Sequence, residues 1–230
     1  MTKKIVTMKT KTMKKTKNPY SYADKQIKRL LQYISAEYNN ASLQLPIDEL
    51  NVMQTQKVVK NLYKRIEKEC RRVYKDIIKK ARLETEQAIG VPEGKSATDS
   101  SVLDGIVAMY CAITAYRFDR EFERKRDRLV EAIMSVSSNQ AIRGKFSQNL
   151  QQLSRQISQF GDICVDESRL HTMEDNGIES VKWVSEHDDK VCDICLERDG
   201  EIYTIDAVPD KPHYHCRCYL VPVIAKDEQA

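Results

Sequence analysis

The sequence is poor in the residues that bend or break a chain: 230 residues contain only seven glycines and six prolines. So few turn formers argue against an all-β sandwich or barrel, which needs turns at short intervals. Aromatics make up 7%, with a single tryptophan. No apolar run approaches the ~20 residues needed to span a bilayer. The first twenty residues also lack the apolar stretch of a secretory signal. Without export the thiols should stay reduced, and an odd total of seven cysteines argues against complete disulfide pairing. Acid is missing from one place in particular: "MTKKIVTMKTKTMKKTKNP" holds seven lysines and no carboxylate.

What is present is charge, at 31% of residues. That balance favours long, solvated helices over a sheet-rich enzyme core. Outside the first 19 residues the chain carries 31 basic and 34 acidic residues, net −3 against +4 overall. The tail, residues 1–19, has no helical period and reads as a flexible basic arm. Its lysines (Lys3, Lys4, Lys9, Lys11, Lys14, Lys15 and Lys17) are candidates for contact with nucleic-acid phosphates, which makes binding salt-dependent. Lysine without aromatics supplies charge, not base readout, so the contact expected is non-specific.

Residues 20–161 read as a domain of long helices. Ser21 can cap a first helix with Ile27, Leu30, Leu31, Ile34 and Tyr38 on one stripe. A second pattern runs from near Ile47 to about Ala88. In it Val59, Tyr63, Ile66, Cys70, Val73 and Ile77 recur at steps of 4, 3, 4, 3 and 4, an a/d seam. Forty helical residues would reach about 60 Å. They could pack inside an antiparallel bundle or project as an arm onto another protein. After the loop "IGVPEGKSATDSS" a third helix is expected from Val102 to Met134, with Leu103, Ile106, Tyr110, Ile113, Phe118, Phe122, Leu129 and Ile133 apolar. A fourth pattern carries Ile142, Phe146, Leu150, Leu153 and Ile157, and Gly161 is expected to end it. Cys70, Cys111 and Cys164 read as packing residues.

From residue 162 the texture changes. Asp166 can cap a short helix that Asn176 and Gly177 stop. "IESVKWVSEHD" gives an irregular strand signal, and Trp183 is expected to fill a small core. His171 and His187 read as a surface helix residue and a turn residue, not as ligands. Then "KVCDICLERDGEIYTIDAVPDKPHYHCRCYLVPV" concentrates four cysteines and two histidines. Cys192 and Cys195 form a C-x2-C pair, the spacing that lets two thiolates converge on one tetrahedral ion. His213, Cys216 and Cys218 offer a second set, which favours a zinc site over a redox dithiol. Five side chains compete for four positions. The reading favours Cys192, Cys195, His213 and Cys216, keeps Cys218 as the rival, and places His215 behind them. A filled shell leaves no open coordination position, so such a Zn2+ would be structural.

These residues carry a resemblance. "WVSEHDDKVCDIC…DGEIY…KPHYHCRCYLVPV" is similar to the C-terminal signature of tailed-bacteriophage minor head proteins, the Mu F-like head-morphogenesis family. The matching positions are Trp183, Asp188 or Asp189, Cys192, Cys195, Tyr203, His213, Cys216, Arg217 and Cys218. The match covers about residues 166–223; Tyr214 departs from the proline common after the histidine. The resemblance implies a structural protein made in the host bacterial cytoplasm and packaged in the virion head interior. It implies association with the portal protein and other capsid proteins, and a role in head assembly and DNA packaging or ejection. Partners expected on this reading are portal, capsid and packaged DNA, with no membrane span and no small-molecule substrate. No enzymatic domain is expected after Val223, and no H-N-H-like or paired-carboxylate set accompanies the cysteines to suggest a nuclease. The alternative is a zinc-containing DNA-binding regulatory protein, although "LHTMEDNG" offers no basic reading face.

The fold class expected is mainly α, with long helices and a possible coiled-coil arm. A small C-terminal α+β zinc-stabilised module follows at residues 162–224, and a short tail at 225–230.

Overall fold

A computed structural model describes residues 18–92, 120, 122–187, 189–213 and 216–224. The tail lysines, the first part of the third expected helix with Cys111, and Asp188, Tyr214 and His215 lie outside the described residues. The chain is mainly helical with a small C-terminal sheet. Helix α1 is Ser21–Leu43, α2 is Val52–Ile89, α3 includes residues 122–134, α4 is Asn139–Asp175 and α5 is Asp193–Arg198. None of the described helices is long and apolar enough to cross a membrane.

The described residues group into two units. One holds residues 22–80, 120 and 122–164; the other holds 18–21, 81–92 and the described part of 165–224. Helices α2 and α4 contribute residues to both.

The first unit is a helical bundle. Ile27, Leu30, Ile34 and Tyr38 of α1 are buried, as are all six residues of the a/d seam on α2. Val58, Leu62, Tyr74 and Ile78 are buried beside that seam. The apolar stripe is therefore wider than a two-stranded coiled coil requires, and the partners of α2 lie within the chain. Tyr63 packs edge-on against Phe122, and Tyr74 against Phe160. One buried polar knot crosses the bundle: Asn149 Oδ1 accepts from Tyr38 at 2.5 Å and from Tyr63 at 2.7 Å. Leu150, expected on this stripe, is only half-buried, and Asn149 takes the inward position.

Helix boundaries follow local chemistry. Ser21 is already helical, and Asn18 Oδ1 accepts the Tyr20 N–H at 2.8 Å. Helix α2 begins at Val52, not near Ile47, because Asn51 caps it. Asn51 Oδ1 accepts the Gln54 N–H at 2.9 Å, and Asn51 Nδ2 donates to Gln54 Oε1. At the other end Gly90 takes φ +83° and Val91 N–H reaches Glu86 O at 2.9 Å, a left-handed C-cap.

Gly161 does not end a helix. Helix α4 runs through it without interruption to Asp175, so Asp166 is a mid-helix residue and not a cap. A Cβ at Gly161 would lie 2.9 Å from two side-chain atoms of Ile27. Glycine is present for close packing of α1 on α4, and its cost to helix propensity is accepted for that contact. The helix stops where Gly177, at φ +73°, lets Ile178 N–H return to Met173 O.

The second unit contains the sheet. Strands β1 (Ser180–Val184), β2 (Ile202–Thr204) and β3 (Tyr219–Pro222) are antiparallel in the order β2-β1-β3. Val181 pairs with Tyr203 on one side and Pro222 on the other, and Trp183 faces Leu220. Val181 and Trp183 point into the core while Lys182 faces solvent. Arg169 of α4 donates to Leu220 O at 2.8 Å, which ties α4 to β3.

Candidate metal centre

The Asp199-Gly200 turn after α5 brings the first cysteine pair back to the sheet. Gly200, at φ +83°, donates its N–H to Trp183 O, and Trp183 N–H reaches Glu201 O, both at 2.9 Å. Cys192 is the N-cap of α5 and Cys195 lies one turn on, so both sulfurs share one side of this short helix. Cys218 immediately precedes β3, opposite the end of β1. Helix start and strand start therefore meet at one spot.

All five expected ligands come together there. Cys192, Cys195 and His213 form one group and Cys195, Cys216 and Cys218 a second, with the donor atoms of each group within 4.8 Å of one another. Cys195 belongs to both. Its Sγ lies 3.5 Å from Cys216 Sγ and 3.8 Å from His213 Nε2. The cavity lined by these residues measures about 20 Å3, room for a single small ion or water. Cys195, Cys216 and Cys218 are buried, Cys192 is half-buried and His213 is exposed. This cluster can hold a metal ion.

The surroundings divide the thiols. Burial pushes Cys195 up to about 12. The hydrogen bond shared between Cys216 and Cys218 pushes Cys216 up and holds Cys218 down, to about 5, with Cys218 as the thiolate partner. Cys192 is lowered, chiefly by the backbone N–H of Cys195. Among the described residues Trp183 Nε1 is buried with no acceptor at ordinary hydrogen-bond geometry, yet it favours the thiolate of Cys218. A buried indole N–H packed with these cysteines suits a cluster that carries negative charge.

Trp183 packs with Cys195, Cys216 and Cys218, with Tyr203 beside them. The small core expected of it is present, and Arg198 lies over its ring at 5.2 Å. Cys70 and Cys164 are buried in the bundle and belong to neither group, and no disulfide joins the six described cysteines. His171 lies against Glu167 and Glu174, and His187 against Asp199; among the described residues neither belongs to a group that could hold a metal.

Sequence reading missed the residues that support the cluster. Ser185 donates its hydroxyl to Cys195 O at 2.6 Å, lies 3.3 Å from Cys218 Sγ, and gives its N–H to Asp199 at 2.7 Å. Lys211 donates to Cys216 O at 3.2 Å and to Asp166 Oδ2 at 2.7 Å. The Tyr20 hydroxyl, within reach of Cys218 O at 3.0 Å, completes this shell. A serine two residues after a tryptophan, or a tyrosine some 170 positions upstream, carries no local signal for such a role. No family model, curated protein or solved structure matches this chain.

Proposed function

We propose that this chain is a structural minor head protein of a tailed bacteriophage, of the Mu F-like head-morphogenesis type, whose C-terminal module is closed by a zinc ion. The observation that carries the reading is convergence. Trp183, Cys192, Cys195, Tyr203, Cys216 and Cys218, which bear the resemblance, share one small core, and His213 borders it.

Zinc fits the donor set. Thiolate and imidazole suit zinc and disfavour magnesium or calcium. A tetrahedral ion with bonds of about 2.3 Å has ligand–ligand edges of about 3.8 Å, against 3.5 and 3.8 Å around Cys195. Cys192, Cys195, His213 and Cys216 would hold it, with Cys218 as the rival for one place. Four protein donors leave no position for a substrate, so the ion would supply folding energy to a module with a slight core, and no catalysis.

The module's charge supports a structural role over the regulator alternative. Its unit carries 7 basic and 15 acidic described residues, which suits no phosphate backbone. Non-specific contact with packaged DNA is assigned to the lysine tail, and assembly contacts to the portal and capsid. Expression with the cognate portal protein tests the reading. Copurification with the portal ring and presence in purified heads are expected; absence from heads, or metal-dependent cleavage of plasmid DNA, would overturn it.

A further inference from the structure

Helix α2 carries its free cations on one line. Lys57, Lys60, Lys64, Lys68, Lys75 and Lys79 follow one another at steps of 3, 4, 4, 7 and 4 residues, and Arg71 fills the one gap. At 3.6 residues per turn they fall within an arc of about 100°, and at 1.5 Å per residue the line is about 33 Å long. All are exposed, while Val59, Leu62, Ile66, Val73 and Ile77 bury the opposite side.

The acids of this helix do not neutralise the lysines. Glu67 is paired with Arg71 at 2.9 Å, and Glu69 and Asp76 are paired with Arg72 at 2.6 and 3.1 Å. Among the described residues none of the six lysines has an ion-pair partner. A face that is merely solvated interleaves signs at i,i+4, whereas like charges at that spacing repel and weaken the helix. The whole unit, α2 included, carries 21 basic against 11 acidic described residues, and outside α2 the balance is 11 to 8.

We propose that this face of α2 is a polyanion site that lies along the phosphate backbone of duplex DNA, separate from the N-terminal tail. Its length is close to one turn of B-form DNA, about 34 Å, along which phosphates recur about every 1.7 Å of axis. Single strands are the poorer match. They are held by aromatic stacking, and Tyr63 and Tyr74 of this helix are buried. A membrane surface is the poorer match too, because an interfacial helix inserts its apolar face and that of α2 is covered. Lysine alone reads no bases, so the binding is sequence-independent. The inference does not rest on the phage assignment.

The test uses the full chain, a fluorescent 30-base-pair duplex and a salt titration. Lys57, Lys64, Lys68 and Lys75 are replaced together by glutamine, which keeps helix propensity. Each lost phosphate contact removes about 0.9 from the slope of log K against log salt, so the slope should fall by about three to four. Affinity at 0.1 M salt should drop at least tenfold, with helicity unchanged. Arginine at the same four positions should preserve the slope. The tail is present in every protein compared, so its contribution cancels. If the fourfold variant fails to fold, Lys57→Gln and Lys75→Gln singly should each lower the slope by about one. A slope that changes by less than one in the fourfold variant, or by nothing in the singles, overturns the proposal. So does competition by single-stranded RNA or polyglutamate as effective as that by duplex DNA.

Discussion

The hydroxyl of Tyr20 lies 2.5 Å from Asp166 Oδ1, joining residues 146 positions apart in sequence. Lys211 donates to the same hydroxyl at 2.5 Å and stands over the ring at 4.5 Å. Tyr20 and Lys211 also reach the carbonyls of Cys218 and Cys216. The chain at Tyr20 is thus held by the backbone of the Cys216–Cys218 segment. Tyr20→Phe keeps the ring and removes the hydroxyl. It should cost about 1–3 kcal/mol, because Asp166 and Lys211 lose a shared partner. Thermal unfolding of the two proteins measures this; an unchanged midpoint would show the network to be idle.

Cys195 is common to both ligand groups, so Cys195→Ser should abolish stoichiometric zinc and unfold the sheet-bearing unit. Elemental analysis and tryptophan fluorescence report the two losses. Of His213→Ala, Cys216→Ser and Cys218→Ser, one should retain a full equivalent of zinc, which identifies the surplus donor. Cys70→Ser, in the bundle core, should leave zinc content unaltered.

Metal capture should release protons. Cys195, pushed up to about 12, and Cys216, also raised, are protonated at neutral pH and must ionise to bind. Cys218, held near 5, is already ionised. Protons compete with the metal, so affinity rises with pH and is lost as pH falls. The protons of Cys195 and Cys216 alone correspond to about a hundredfold change per pH unit around neutrality. Zinc competition with a chelator at two pH values checks this, and a pH-independent affinity would contradict it.

Gly161→Ala would bring a methyl to 2.9 Å from Ile27. Helix propensity favours alanine by about 1 kcal/mol, yet overpacking costs about 1–3 kcal/mol. A net loss of roughly 1 kcal/mol is expected. Ile27→Ala empties the same space, so the double variant should cost less than the sum of the singles. Strict additivity in denaturant titrations would mean that the two residues do not press on each other.

Much of this arrangement is legible in the sequence, and the misses have a common cause. The stripes of α1 and α2 are local patterns, and the six seam residues of α2 are all buried. The Cys and His spacing foretold which side chains meet. Gly161 misled because its role depends on Ile27, a residue remote in sequence. Ser185, Tyr20 and Lys211 went unread for the same reason: their partners are backbone carbonyls that only the fold supplies. The lysine line of α2 was present in the spacing. It acquires meaning only when Arg71 and Arg72 are seen to occupy the acids.

Charge segregation also governs how the protein handles at the bench. A chain with a sequence pI near 8.6 would ordinarily be expected to pass an anion exchanger at neutral pH. Here the described residues give one unit net +10 and the other net −8, so both resin types should retain it. In dilute buffer, where fields reach about 30 Å, the acidic unit of one molecule attracts the basic unit of the next. Added salt shortens that reach to about 10 Å at 0.1 M and dissolves the protein instead of precipitating it.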